Sequence, residues 1–277
     1  MLLEQIVRAA LFEDIGRGGD VTTDSIIGAE VVTRAAIISR AAGVVAGHGP
    51  ARLTFRMLDP NVRYDILAPD GATIDEGTAI ARLSGPARAI LTGERTALNF
   101  LGHLSGIATA ANALVQRTAP YRAQIVCTRK TTPGLRLLER EAVVAGGASL
   151  HRYGLDDAVL IKDNHLLLSG GIPQAVAVVR RTIGHTLKVE VEVDSLEQLR
   201  EALELQIDAV LLDNMPLEML REAVKIVNGR LLTEASGSVT PENVAAIASA
   251  GVDLISSGWI THSAPALDLG LDIETTS

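Results

Sequence analysis

A single cysteine, Cys127, stands among 277 residues. That excludes an internal disulfide and any metal cage built on cysteines, and it fits a reducing compartment. Aromatic residues make up only 3% of the chain, so the core has to be packed mainly from Ala, Val, Leu and Ile. No stretch approaches the roughly 20 consecutive apolar residues of a membrane-spanning helix. The opening residues carry Glu4, Glu13 and Asp14 among the apolar ones, which predicts an amphipathic helix rather than a secretory signal. Positive charge is in deficit: the formal net charge is −8, which argues against a general nucleic-acid or acidic-membrane binder. No G-x-G-x-x-G follows a strand-like run, which weakens any dinucleotide-binding reading. The expectation is a soluble cytoplasmic protein with neither nucleic acid nor membrane as a partner.

Against this acidic background, residues 124–165 concentrate positive charge. Two short β-rich runs, 125–127 and 158–161, break off into Thr128-Arg129-Lys130 and into Lys162-Asp163-Asn164-His165, with His151-Arg152 between them. A buried parallel strand running into a loop reads this way. Cationic and imidazole side chains gathered at neighbouring strand ends repel one another unless an anion sits among them. The stretch is expected to form an anion-binding catalytic mouth.

The rest of the chain supplies a frame for that mouth. After the N-terminal helix, residues 31–90 are β-rich (31–38, 43–46, 62–66 and 79–83) and punctuated by turn residues. The Pro69-Asp70-Gly71 piece is read as an ordinary β-turn. A helix is predicted over 92–117, where Ala97, Leu101, Leu104, Ala108, Ala111 and Val115 make one apolar stripe. Arg95 then falls in its first turn, where the helix dipole disfavours a cation, and a salt bridge with Glu94 would account for it. From 124 onward, strands at 124–127, 158–161, 187–192, 208–212, 230–233 and 252–256 alternate with helices at 173–183, 196–205, 217–227 and 241–250. Repeated β-α units close most naturally into an α/β barrel, with an open doubly wound sheet as the alternative.

Barrel enzymes carry their sites at the C-terminal strand ends. Arg129, His151, Arg152 and Lys162 suit a substrate with more than one carboxylate, because guanidinium forks grip carboxylates bidentately. Glu192 and Asp213 offer oxygen ligands to Mg²⁺ or to sugar hydroxyls. Ser236-Gly237 and Gly258 stand where backbone N–H groups can cradle a phosphate. Each has a plainer use as a solvated loop residue or helix cap, Asp213-Asn214 especially, and His103 and His262 read as structural. A Schiff-base lyase using Lys130 or Lys162 and a non-catalytic anion-binding protein are the competing functional classes.

The motifs Glu13-Asp14-Ile-Gly, Gly19-Asp20-Val-Thr-Thr23, Glu94-Arg95-Thr96, Thr128-Arg129-Lys130-Thr131, Pro133-Gly134-Leu135-Arg136, His151-Arg152, Leu160-Ile-Lys-Asp-Asn-His165, Glu190-Val-Glu-Val-Asp194, Leu212-Asp213-Asn214 and Thr261-His262-Ser263 resemble, nearly end to end, the quinolinate phosphoribosyltransferase family. The resemblance implies an α/β sandwich domain over 1–105, completed by 265–277, and an open, incomplete α/β barrel over 106–264. It implies transfer of phosphoribosyl from phosphoribosyl pyrophosphate to quinolinate with decarboxylation, with Mg²⁺ as cofactor. It also implies a homodimer, or a trimer of such dimers, in which Arg95 completes the partner's site. Arg129, His151, Arg152 and Lys162 match quinolinate-binding positions. Lys130, Glu192 and Asp213 match positions near phosphoribosyl pyrophosphate and its Mg²⁺ and form the catalytic set, and Thr128 is a further substrate-binding position. Ser236, Gly237 and Gly258 match the phosphate-holding turns. Two departures stand out: Leu150 where the family carries an amide, and Ser238 where glycine is common. A paralogous group associated with molybdate transport shares a non-amide residue before His-Arg, but typically lacks the Lys162–His165 motif that is intact here.

Overall fold

The computed structural model describes residues 2–274. Its first elements are α1 (Leu2–Ile15), α2 (Val21–Ile26), β1 (Val32–Ser39), β2 (Gly43–Val44), α3 (His48–Leu58), β3 (Arg63–Ile66), β4 (Thr73–Ile74), β5 (Ala79–Pro86) and α4 (Ala87–Thr118). There follow β6 (Gln124–Val126), α5 (Arg136–Ala145), β7 (Val159–Ile161), α6 (Asp163–Ser169), α7 (Ile172–Thr182), β8 (Val189–Val193), α8 (Leu196–Ala202) and β9 (Ala209–Asp213). The last are α9 (Leu217–Val227), β10 (Leu232–Ser236), α10 (Val244–Ser249), β11 (Leu254–Ser256), α11 (Trp259–His262) and β12 (Leu269–Ile273). No helix among the described residues is long and apolar enough to cross a membrane.

The chain divides into two compact units. The first takes residues up to 112 with 132–147 and the segment from 264 on; the second takes 113–131 and 148–263. In the first unit an antiparallel sheet has the order β12-β1-β5-β3. The C-terminal strand adds to its edge, with Ile37 opposite Leu271; residues 275–277 of the segment expected here lie outside the described residues. Ile37, Phe55, Ile80, Leu83, Ile90 and Leu101 are fully buried in the core of this unit, an aliphatic packing in keeping with the shortage of aromatics.

Three helices of this unit escape a reading of apolar periodicity: the six-residue α2, and α3 and α5. The buried face of α3 includes His48, Pro50 and Thr54, and that of α5 includes Glu139. These polar groups are satisfied inside: His48 hydrogen-bonds Tyr64 Oη and the Ala68 carbonyl, both at 2.8 Å. A hydropathy pattern does not distinguish them from surface residues. The long helix also begins five residues before its expected start, at Ala87 directly after Pro86. Gly93 stands within it, where a side chain would press within 2.9 Å of Leu58 and Phe55. Arg95 therefore belongs to the third turn rather than the first, and the dipole argument for it falls away.

The second unit is a six-stranded, all-parallel sheet in the order β6-β11-β10-β9-β8-β7. The two strands that closure would join, β6 and β7, stand at opposite ends of that order, so the barrel is open, as expected. Parallel strands covered on both faces usually read as continuous apolar runs. Here β8 alternates instead: Val189, Val191 and Val193 are buried while Glu190 and Glu192 are half-buried. The glutamates face inward, Glu192 lining one cavity and Glu190 an adjoining one. The same parity puts Asp213, Glu234, Ser236 and Ser256 on the cavity side. Helices with clean apolar stripes, such as Leu220, Ala223 and Val227 of α9, cover the outer face.

Candidate active site

A cavity of about 470 Å³ opens at the C-terminal ends of the parallel strands. Its wall takes Thr128, Arg129 and Lys130 after β6, Lys162 after β7, Glu192 from β8 and Asp213 from β9. Ser236 from β10 and Ser256 from β11 add hydroxyls, and His151 and Arg152 come from the loop before β7. Nine of the residues singled out in the sequence therefore meet in one hollow: Thr128, Arg129, Lys130, His151, Arg152, Lys162, Glu192, Asp213 and Ser236.

Backbone geometry explains how several are aimed. Thr128 Oγ1 accepts from the Lys130 N–H at 3.0 Å. The hydroxyl of Thr261, on α11, donates to the Lys130 carbonyl at 2.8 Å. Gly258 does not line the cavity; a Cβ there would come within 2.9 Å of Lys130 Cδ, so this glycine makes room for the lysine stem. Gly237 is also set back from the cavity. It sits at φ +108°, and a Cβ would fall 2.1 Å from Asn214 Oδ1. Together with the Asn214 N–H donating to the Ser236 carbonyl at 2.9 Å, it locks the turns after β9 and β10 to each other.

The remaining expected residue, Arg95, belongs to the first unit. It is exposed on α4 and makes no ion pair with Glu94 among the described residues, so the plainer explanation for it does not hold. His103 is structural, as expected: its Nε2 lies 2.8 Å from Glu139 Oε1.

Charge in the cavity is balanced in two places. Lys162 Nζ donates to Glu192 Oε2 at the rim. Deeper, His151 Nε2 lies 3.4 Å from Glu190 Oε2 and 3.3 Å from Glu234 Oε2. Hydrogen bonds to Glu190 and Glu234 push the His151 pKa up to about 10, against the pull of burial. Burial raises the Glu190 carboxyl as well. The backbone N–H of Arg152 donates to His151 Nδ1 at 2.7 Å, which opposes a proton at that nitrogen. Facing two carboxylates, the ring is held in a setting that favours its protonated form. Burial and the neighbouring Arg129 push the Arg152 guanidinium below its usual value, a tension that a bound anion relieves.

Two sets of oxygen and nitrogen donors raise the question of a metal. Glu192 and Asp213 offer carboxylate oxygens on neighbouring strands, the donor chemistry of a hard divalent cation. His151, Glu190 and Glu234 also bring three ligand atoms within 4.8 Å of one another. A metal on Nε2 requires Nδ1 to carry the ring proton, and the Arg152 N–H already points there.

Glu190, Glu234 and Thr261 are site-building residues that no role was read for in the sequence. The first two had a visible signal, since an acid two positions before a strand's polar end shares its inward parity. Thr261 had none, because its partner is a carbonyl 131 positions away. Leu150, the conspicuous departure, does not line this cavity. It borders an adjoining one of about 310 Å³ toward the N-terminal strand ends, which shares His151, Arg152 and Glu234 with the first.

The pattern of the quinolinate phosphoribosyl transferase N-terminal domain matches residues 20–105, and that of its C-terminal domain matches residues 107–272. The probable nicotinate-nucleotide pyrophosphorylase (carboxylating) of Bacillus subtilis is 41% identical over 98% of this chain and 93% of its own length. The corresponding Synechocystis protein is 42% identical over 99% and 93%. Among solved structures, the nicotinate-nucleotide pyrophosphorylase of Francisella tularensis superposes with a TM-score of 0.94 at 39% identity, covering 99% of this chain and 96% of that one. With both domain patterns matched along nearly the whole length, on the open barrel and its cationic cavity, the chain belongs to the quinolinate phosphoribosyltransferase family.

Proposed function

We propose that this protein joins quinolinate to phosphoribosyl pyrophosphate with loss of one carboxylate, giving nicotinate mononucleotide, pyrophosphate and CO₂ in de novo NAD synthesis. The observation that carries the reading is the meeting of both charges in one cavity. Arg129, Lys130, Arg152 and Lys162 line the same hollow as the carboxylates Glu192 and Asp213. A doubly negative pyridine fits the first group and a ribose bearing a developing positive charge fits the second.

In this mechanism Arg129 and Arg152 grip the two adjacent carboxylates and Lys162 closes over them. The ring nitrogen is then aimed at C1 of the ribose, and holding the reactants so is itself a large share of catalysis. The C1–oxygen bond breaks with its electron pair leaving on pyrophosphate, while Glu192 and Asp213 stabilise the cationic sugar. Lys130 faces the departing phosphates, with Ser236 and the turns at Gly237 and Gly258 on their side of the site. Glu192 and Asp213 would also hold Mg²⁺, whose charge neutralises the leaving group. Once the ring nitrogen is alkylated it becomes an electron sink. The bond from C2 to its carboxylate breaks, the pair stays on C2, and a proton takes the place of CO₂. No side chain forms a covalent intermediate, which separates this chemistry from a Schiff-base lyase.

Within the same proposal the protein works in the cytoplasm as a homodimer, with Arg95 reaching the partner's cavity, and such dimers can assemble further as a trimer of dimers. The molybdate-associated paralogue is disfavoured because the Lys162–His165 motif, which that group typically lacks, is intact here.

Release of labelled CO₂ from quinolinate, dependent on phosphoribosyl pyrophosphate and Mg²⁺ and with nicotinate offered as competing acceptor, is the decisive measurement. Binding of quinolinate without CO₂ release would favour the accessory-protein reading. Arg152→Ala is expected to raise the KM for quinolinate by about 30-fold or more, the cost of losing a charged hydrogen-bond partner of roughly 2 kcal/mol or above. The KM for phosphoribosyl pyrophosphate should stay within about twofold. Equal losses for both substrates would defeat the assignment.

A further inference from the structure

An open barrel leaves a seam between β6 and β7, and the loop that carries Arg152 runs through it. One end of that loop is held by a short parallel bridge to β6, where the Ser149 N–H donates to the Ile125 carbonyl at 2.8 Å and the Cys127 N–H donates to the Ser149 carbonyl at 3.2 Å. Farther on, Asp157 closes a turn by accepting from the backbone N–H groups of Tyr153 and Gly154, and the Arg152 guanidinium donates to the Ala158 carbonyl at 3.1 Å. A full strand here would be fixed by a ladder of backbone bonds on both sides. A side chain adds a tie from the barrel's interior. His151 reaches across the interior to Glu190 on β8 and Glu234 on β10, 3.4 and 3.3 Å away. On its other side it receives the Arg152 backbone N–H at 2.7 Å. Both ring nitrogens are thus engaged by protein groups. Glu234 is 1% exposed, so neither it nor the ring can swing into solvent without leaving a buried charge unpaired.

We infer that Glu190 and Glu234 are positioning residues for Arg152: acting through His151, they tie the seam loop across the barrel and set where the guanidinium stands in the cavity. The inference rests on the proposed activity only for its kinetic test; a second test needs no substrate.

The substrate-free test is amide hydrogen exchange of the full-length protein, read on peptides covering 148–156. Glu234→Gln, which keeps the shape and an acceptor oxygen, should exchange there nearly as slowly as the wild type. Glu234→Ala should exchange at least about tenfold faster at the Arg152 amide, with β8 and β9 unchanged. Unchanged exchange in Glu234→Ala overturns the inference whether or not the protein is active.

The kinetic test is a double-mutant cycle with Arg152→Ala. Glu234→Ala alone should raise the KM for quinolinate about tenfold and leave that for phosphoribosyl pyrophosphate within twofold, and Glu234→Gln should restore most of the loss. In the Arg152→Ala background the same change should have almost no further effect. If the two losses multiply, the glutamate acts independently of the arginine and the inference fails. If the alanine variant does not fold, Glu190→Ala supplies the same cycle from the other strand. A wild-type protein that releases no CO₂ would sink the proposed activity and leave the exchange test standing.

Discussion

A methyl group on Gly237 would sit 2.1 Å from Asn214 Oδ1 and 3.1 Å from Asn214 Cα, at a φ of +108°. Both crowding and backbone conformation therefore demand glycine. Gly237→Ala should destabilise the protein by about 1–3 kcal/mol, read as a lower urea midpoint at unchanged slope, and it should raise the KM for phosphoribosyl pyrophosphate more than that for quinolinate. One position on, Ser238 occupies φ +48°, so the turn keeps a left-handed shape without the usual glycine. Asp208 offers a pH test. Burial raises its carboxyl, but donation from Lys188 at 2.8 Å, the Val189 N–H at 2.9 Å and Arg180 at 2.8 Å outweighs this and holds its pKa at about 2. A carboxyl depressed on folding contributes stability above its unfolded value near 3.9 and loses it as pH falls through the folded one. Asp208→Asn should therefore lower stability at pH 7 and flatten its decline between about pH 4 and 2. Parallel wild-type and variant curves across that window would contradict this account.

Among the elements, α5 shows how a charged residue comes to sit in a core. Glu139 is 0% exposed, with Oε1 2.8 Å from His103 Nε2 and Oε2 accepting from the Thr132 N–H at 3.2 Å. Glu139→Ala strands both partners and should cost about 2–4 kcal/mol of unfolding free energy, with Glu139→Gln recovering part of it in the same denaturant titration. This buried acid is also why α5 was invisible to hydrophobic periodicity, and His48 and Thr54 hid α3 in the same manner. The helix α9, whose apolar spacing is undisturbed, lies at 217–227 in both the sequence reading and the structure. The strands β6 to β11 were all legible as short apolar runs between helices, with ends displaced by up to three residues. Displacement was largest in β10, expected at 230–233 and found at Leu232–Ser236, because its polar end faces the cavity and carries no hydrophobic signal.

For the whole molecule, the proposed dimer makes a prediction that a self-sufficient subunit does not. Arg95→Ala and Lys162→Ala should each be nearly inactive alone, yet regain up to about a quarter of wild-type activity once subunits are exchanged by mixing, since one hybrid site in two is intact. Absence of recovery, with exchange shown by differently tagged subunits, would rule out a shared site. Local chemistry sufficed to mark the cationic stretch at 124–165, the strand-end acids at 192 and 213, and the alternation of strands with helices. These follow from residue type and from periods of two and 3.6, which any short window of the chain displays. What awaited the tertiary structure was every pairing between distant positions: Thr261 with the Lys130 carbonyl, Leu150 turned to the other cavity, and His151 braced between Glu190 and Glu234. Such contacts depend on which strands become neighbours, and strand order is settled by packing the whole sheet against its helices rather than by any one segment's preference.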